Sequence, residues 1–552
     1  MSGGYIVGVN TGSHDASAAL VRDGRIISLI EQERISRRKR AVNESPRDAI
    51  RTCLMDAGIE LSDVSCVAVG WDMPKYFALE GRGFPVDVFR KRIGVPREIP
   101  IHFYGHHLAH AASAFWTSGW DRATVIVTDG RGEDAATTTY LAEADTFKRL
   151  AQWDLAESLG RYYSKASSWS GLGPADVGKF MGLAAYGEPR MAMPIEVTPD
   201  GYRLAGAERV PNRTMPELRE ALNASVTPYF SACFPYGEGD GVEIMAYADF
   251  AASVQSSLEA ALSSLVTAAV GETGCAQVVL AGGVAMNCTA NGKLARHPSV
   301  AELYVPPFAY DCGVAVGAAL LAAKDSGLAG VSTANGRVGA YLGRDHSARI
   351  AEVAESAPLA GQRLSESDLA ACVAEHLAAG RLVGWYQGRA EVGQRALGAR
   401  SILADPRRRT MVGRLNQVKG RELWRPLAPS VLAEDRDRVF THDLGDLGHY
   451  MLGATHVRDG VRPLMPATVH VDGTARPQYV RRDRTPRYYD VIESFRDMTG
   501  TPAVLNTSFN LAGEPIVCSP EDALSTFMRS GLDVLVLGDH VLERTGQESA
   551  AG

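Results

Sequence analysis

"YIVGVNTGSHDASAALVRDGRI", Tyr5–Ile26, sets an apolar run, a polar glycine-containing turn and a second β-rich run in succession. That order is the pattern of a hairpin carrying a polar loop. "ATVIVTDGRGEDAATTTYLAE", Ala123–Glu143, follows the same plan. One unit written twice predicts a duplicated α/β fold whose two polar loops face each other across a cleft. Two unrelated hairpins leave the same local pattern.

At 552 residues the chain exceeds what one core can organise, and at least two domains are expected. "DFAASVQSSLEAALSSLVTAAVGETG", from Asp249, has the pattern of a long amphipathic helix ended by Gly271 or Gly274. The strand "QVVLAGG" follows and closes on Gly282 and Gly283, where a ligand can approach the backbone. A helix beginning there turns its N–H groups toward a phosphate or nucleotide, with Asn287 beside it. "GLAGVSTANGRVGAYLG", from Gly327, reads as a connector. Beyond it "SESDLAACVAEHLAAG" reads as a helix capped by Ser365 or Ser367, and "RLVGWYQG" as a buried strand. Domains are therefore expected at 1–350 and 360–545, with "GQESAAG" as a frayed tail.

Composition narrows the partners. The net charge is −7 and no basic tract is built to neutralise a phosphate backbone, which argues against nucleic acid as the main partner. No apolar run is long enough to span a bilayer. Eight scattered cysteines without a CxxC pair fit neither a disulfide framework nor a cysteine zinc site, and a cytoplasmic location is expected.

"HHLAHAASAF", His106–Phe115, is the most unusual stretch. On a helix, His106 and His110 share one face and can share a metal, while His107 is turned away by about 100°. Two imidazoles bind weakly, so further ligands are needed. Asp129, ending the second repeat's strand, and Asp311, just before a helix, are the candidates. Two histidines and two carboxylates suit iron(II) or zinc. A helix whose histidines only bond within a core has the same spacing. The position after His106 holds no glutamate, which weakens a peptidase reading.

Taken together, "HHLAHAASAF", "TDGRGED", "GKFMGLAAYG", "LAGGVAMN", "RAEVGQRALGARSILADPR", "RELWRPLAPSVL", "HVDGTARPQ" and "NTSFNLAGEPIV" resemble the O-carbamoyltransferase family, in order along nearly the whole chain. The resemblance implies a duplicated actin-like N-terminal domain, akin to threonylcarbamoyl-transfer proteins, and a YrdC-like α/β C-terminal domain. It implies ATP, with Mg, and carbamoyl phosphate as substrates. The C-terminal site is then expected to make carbamoyl-adenylate, and the N-terminal site to pass the carbamoyl group to a hydroxyl and release AMP. It also implies iron(II) held by His106, His110, Asp129 and Asp311.

Dense positive charge suits two anionic substrates. Arg395 and Arg400 lie in a small, apolar run and are assigned to catalysis, whereas Arg407–Arg409 read as a solvated face. Lys419, Arg421, Arg425 and Arg476 add cations, and Asn506, Ser508 and Asn510 cluster polar groups at a strand end. In the N-terminal half His14 is the expected general base, with Asp15 orienting it or shaping the turn. Gly130, Gly132, Gly282, Gly283 and Asn287 are expected to cradle the adenylate, with Lys179 a further candidate. Arg38 and Lys39 are read as guides for acceptor or phosphate, or as a solvated face. Tyr76, Phe77, Tyr162, Tyr163 and Trp169 are read as ring-packing contacts to the acceptor or as core. The acceptor is expected to be a small, antibiotic-like alcohol, and a homodimer is left open. An actin-like ATPase or kinase is the alternative, separable by its ADP product.

Overall fold

Tyr5–Asn10 is the central strand of a five-stranded sheet. It pairs antiparallel with Ser17–Arg22, which pairs antiparallel with Arg25–Glu31. On its other side it runs parallel to Val64–Val69, and that strand parallel to Ile101–Phe103. A second five-stranded sheet repeats this plan strand for strand. Arg122–Thr128 is central, antiparallel to Thr137–Glu143, itself antiparallel to Thr146–Trp153; on the other side lie Gln277–Ala281 and Glu302–Tyr304, both parallel. Identical order and sense in two sheets establish the duplicated actin-like arrangement.

This computed structural model describes residues 4–207, 214–234, 236, 243–327 and 336–544. Part of the expected connector (328–335) and the expected frayed tail (546–552) lie outside the described residues. The chain forms two compact units: one takes the residues up to Gln32 and Ala41–Gly339, the other takes Glu33–Arg40 and the chain from Ala340 onward.

In the first unit, backbones approach closely where glycine permits. Helix Val314–Asp325 packs on the central strand Tyr5–Asn10 and on helix His106–Phe115. A Cβ on Gly317 would stand 1.8 Å from the Ala109 carbonyl oxygen, so only glycine allows that helix crossing. The long amphipathic helix runs Ala248–Thr273 and ends on Gly274 in the left-handed conformation. Gln277–Ala281 does not lead straight into a helix, however. A 3-10 turn, Gly283–Met286, intervenes before helix Cys288–Leu294.

The second unit is built on an eight-stranded mixed sheet in the order Ala360–Arg363, His540–Glu543, Val534–Leu537, Val383–Tyr386, Arg400–Ala404, Ala503–Ser508, Ala428–Leu432, Gln478–Val480. Alternate residues feed opposite faces. Tyr386, Ile402, Leu505 and Leu535 pack under helices Ile350–Ser356, Thr410–Val418 and Pro520–Arg529. Val383, Trp385, Leu403 and Val534 pack under Glu366–Ala378 and Pro486–Thr499. The helix Glu366–Ala378 takes its N-cap from Ser365. All eight cysteines are free, and among the described residues no helix is long and apolar enough to cross a membrane.

Candidate metal centre and anion pocket

The strand ends and the helix start of the first unit converge on one buried point. His106, His110, Asp129 and Asp311 each offer a ligand atom, all within 4.8 Å of one another. His106 Nε2 lies 3.2 Å from Asp129 Oδ2 and 3.7 Å from Asp311 Oδ1; His110 Nε2 lies 3.6 and 3.7 Å from the same oxygens. The two Nε2 atoms are 3.2 Å apart. His106 Nδ1 donates to the Gly70 carbonyl at 3.0 Å, and Trp71 stacks on its ring at 3.9 Å. Burial opposes a charge on His106, but hydrogen bonds to Asp129 and Asp311, with their charges, raise its pKa to about 10. Burial likewise opposes the ionised Asp129, and the bonds from His106 and His110 hold it well below the usual carboxylate range. Asp311 is lowered too, against burial and the charge of Asp129. Converging lone pairs, two carboxylates and a fixed second nitrogen fit a divalent transition metal.

His107 has a different place. Its Nδ1 meets Thr138 Oγ1 at 2.7 Å, and burial, then the charge of His106, pushes it down to about 3. His14 stands beside the cluster, with Nδ1 2.8 Å from Asp15 Oδ2 and 3.7 Å from Asp311 Oδ2. Asp15 adopts a left-handed backbone, φ 54°, so it shapes the turn as well as meeting the ring.

Several residues expected to cradle a nucleotide have other partners. The Gly283 N–H donates to Asp129 Oδ1 at 3.0 Å, and Gly282 adopts φ 89° at a point where a Cβ would strike the Thr128 carbonyl. Gly132 lies against His107, and Gly130 against Gly160. Asn287 caps the helix Cys288–Leu294: its Oδ1 accepts from the Ala290 N–H, and its amide pairs with Gln255. Lys179 pairs with Asp176 at 3.3 Å. Tyr162 and Tyr163 are core residues, their hydroxyls bonded to Ser257 and Gln255. Tyr76 lies under Arg131, and Trp169 packs on Phe230.

Sequence reasoning passed over two residues here. Buried Glu133 accepts the His106 N–H at 3.0 Å and the Asp72 N–H at 2.7 Å, anchoring the first turn of the histidine helix. Arg161 stands over Gly130, its Nε 3.8 Å from where a Cβ would sit. Glu133 lies within "TDGRGED" and Arg161 directly precedes Tyr162 and Tyr163, where only the glycines, Asp129 and the aromatics drew attention.

The second unit gathers cations. Lys419 is buried, and its ammonium bonds to Ser508 O, Asn510 O at 2.9 Å and Asn510 Oδ1 at 3.1 Å. Burial, then Arg421 and Arg425, push Lys419 well below the usual lysine range. Burial and the charges of Arg425 and Arg476 bring Arg421 down to about 9. Buried Arg421 Nη2 and Arg476 Nε have no hydrogen-bond partner. Glu422, 3.6 Å from Arg425, offsets only part of this charge, and a buried ammonium among half-buried guanidinium groups suits an anion.

Arg400 has main-chain partners. It is fully buried, stacked 3.6 Å from Tyr386, and donates to the carbonyls of Gln387, Ala399, Gly388 and Cys518. These bonds brace the sheet. Asn506 is also turned inward, its amide bonded to Ala396 O, Ser430 and Gln478, apart from Ser508 and Asn510. Arg395 sits on a loop that Glu391 organises by accepting the N–H groups of Leu397, Ala399 and Arg400. Arg407 grips Asp405 and the Ala378 carbonyl, so it is not a merely solvated charge.

Residues 5–82 and 84–320 match the family described as "Carbamoyltransferase N-terminus", and residues 374–544 match "Carbamoyltransferase C-terminus". The chain belongs to the carbamoyltransferase family. This carbamoyltransferase is 36% identical to the nodulation protein NolNO of Sinorhizobium fredii, over 97% of its own length and 80% of the relative's. It is 26% identical to the 3'-hydroxymethylcephem-O-carbamoyltransferase of Amycolatopsis lactamdurans, over 96% of its own length and 98% of that enzyme's. Likeness to solved structures is slight: component A of the (R)-2-hydroxyglutaryl-CoA dehydratase of Acidaminococcus fermentans aligns with 59% of the carbamoyltransferase chain and 99% of that chain, at 17% identity and a TM-score of 0.34.

Proposed function

We propose that this enzyme is an ATP-dependent O-carbamoyltransferase that makes carbamoyl-adenylate in its second unit and consumes it in its first. The observation that carries the reading is the cationic group of buried Lys419 and half-buried Arg421, Arg425 and Arg476, which fits polyphosphate chemistry, in a chain whose other unit holds an imidazole–carboxylate centre.

The atoms balance as follows. Water converts carbamoyl phosphate to carbamate and phosphate; a carbamate oxygen displaces pyrophosphate from the α-phosphorus of ATP. Arg421, Arg425, Arg476 and Arg395 neutralise the phosphoryl oxygens, whose charge shifts as the bonds exchange. Lys419, already tied to Ser508 and Asn510, fixes the loop against which the substrate lies.

In the first unit an acceptor hydroxyl attacks the carbamoyl carbon and AMP leaves. His14 takes the hydroxyl proton at Nε2, because Asp15 accepts its Nδ1–H and holds that tautomer. His106, His110, Asp129 and Asp311 are the residues that would hold iron(II), which when bound supplies Lewis-acid stabilisation of developing negative charge. Glu133 and Gly70 keep His106 in place through its backbone and its Nδ1. The acceptor is a small hydroxylated natural product, a class that includes the cephem named for the Amycolatopsis relative.

The test is incubation with ATP, carbamoyl phosphate and a panel of hydroxylated metabolites, read by mass. A product heavier by one carbamoyl group supports the reading. ADP as the nucleotide product would instead favour a kinase.

A further inference from the structure

Eight residues from within the first unit's sequence belong to the second unit. The chain leaves the first unit after Gln32 and returns at Ala41, and Glu33–Arg40 packs with the unit that begins at Ala340. This strap is tied at two points. Arg34 Nη2 donates to the Gly393 carbonyl at 2.6 Å. Arg37 donates to the Ile516 carbonyl at 2.6 Å and the Pro515 carbonyl at 3.0 Å, with Asp522 Oδ1 3.6 Å from its Nε. Both tie points lie on loops of the anion pocket. Gly393 precedes Arg395, and Pro515–Ile516 follow Asn510, which holds Lys419.

The strap's backbone is held in an uncommon shape. Arg37 has φ 59° and Arg40 has φ 64°, a left-handed conformation that residues with a Cβ seldom take. The Glu33 carboxylate accepts the Arg40 N–H at 2.5 Å and closes the segment on itself. Such conformations persist where the surroundings over-determine them, and they cluster at ligand sites. Between the two left-handed arginines stands Lys39, its side chain exposed, its charge acting on the Lys419 ammonium alongside those of Arg421 and Arg425.

We infer that the strap is a working part of the anion pocket, with Lys39 binding a phosphate group of the substrates there and Arg34 and Arg37 clamping the two loops that frame it. The inference rests on reading that pocket as the adenylate-forming site. Phosphate can come from ATP or from carbamoyl phosphate, and the two sources are separated by experiment. A consequence is that adenylate formation depends on residues far upstream in sequence.

The test uses full-length protein: wild type, Lys39→Ala, Lys39→Arg, Arg37→Ala and the double variant Arg37→Ala/Lys39→Ala. Binding of Mg-ATP and of inorganic phosphate is measured by calorimetry, and carbamoyl-phosphate-dependent ATP–pyrophosphate exchange is measured beside it. Lys39→Ala is expected to weaken one of the two ligands about tenfold and to raise the matching KM equally, with kcat nearly unchanged and Lys39→Arg restoring most of the loss. Weakened Mg-ATP assigns Lys39 to the polyphosphate; weakened phosphate assigns it to carbamoyl phosphate. In the Arg37→Ala background, removal of Lys39 should add less than in wild type, because the tie nearer to Lys39 is already released while Arg34 still holds Gly393. Unchanged binding of both ligands by Lys39→Ala, or no binding of either by wild type, overturns the inference. Wild-type binding without exchange overturns the adenylate reading instead, and the strap is then judged by binding alone.

Discussion

His106 gives its Nδ1–H to the carbonyl oxygen of Gly70 at 3.0 Å. A carbonyl can only accept, so this bond leaves the Nε2 side of the ring directed at Asp129 and His110. Gly70 ends the strand Val64–Val69, and a Cβ on it would stand 2.8 Å from Val314. The metal centre is therefore oriented by a strand end that is itself pinned by a helix.

Removing a ligand should empty that centre. His110→Ala and Asp129→Ala are expected to lose tight divalent-metal binding, read by elemental analysis after dialysis. Glu133→Ala touches no ligand atom but frees the first turn of the helix, and should weaken metal about 10–100-fold. Equal metal affinity in Glu133→Ala and wild type would contradict its anchoring role.

The helix crossing behind the centre tolerates no side chain. Gly317→Ala places a methyl on the Ala109 carbonyl, and overpacking of this kind costs about 1–3 kcal/mol or more. Thermal denaturation should show a clear fall in Tm, accompanied by weaker metal binding. An unchanged Tm would mean that the two helices separate freely.

Arg400 and Arg395 should fail differently. Arg400→Met takes its side-chain donors from the carbonyls of Gln387 and Gly388, while those of Ala399 and Cys518 keep the Gln387 N–H and the Tyr386 hydroxyl, and is expected to destabilise the second unit by about 2–3 kcal/mol. Arg395→Ala should keep the melting temperature and raise KM for carbamoyl phosphate or ATP. A stable Arg400→Met with impaired substrate binding would reverse these assignments.

Acid should unfold the second unit partly through His346. Burial, then Arg344 and Arg400, lower its pKa to about 4 from an ordinary 6.5. Between those values the unfolded chain takes up the proton first, so stability is present above about pH 6.5 and falls as pH drops toward 4. The ring is half-buried, which limits the effect to about 1–2 kcal/mol. His346→Gln should flatten that slope in melts from pH 7 to 4; a slope equal to wild type would assign the acid sensitivity elsewhere.

The duplication was legible because it is written in short-range pattern: an apolar run, a polar glycine turn, a β-rich run, twice. His106 and His110 were legible as a pair because helical spacing is local, and Asp129 because it ends the second repeat's strand. The setting of Arg400 was only half legible, for a physical reason. Small apolar neighbours announce that an arginine is buried, but not whether its partners are phosphate oxygens or main-chain carbonyls. Asn287 likewise fits a cap and a ligand equally well on sequence grounds. Glu133 and the strap Glu33–Arg40 draw their meaning from contacts distant in sequence, such as Arg34 with Gly393, which no window of residues contains.

The central claim is that a carbamoyl-adenylate is formed. Its most direct measurement is the exchange of labelled pyrophosphate into ATP by the purified enzyme, without acceptor, at varied carbamoyl phosphate. The account predicts exchange that requires carbamoyl phosphate and disappears in Arg421→Ala. Exchange that ignores carbamoyl phosphate, or turnover that yields ADP, would contradict it.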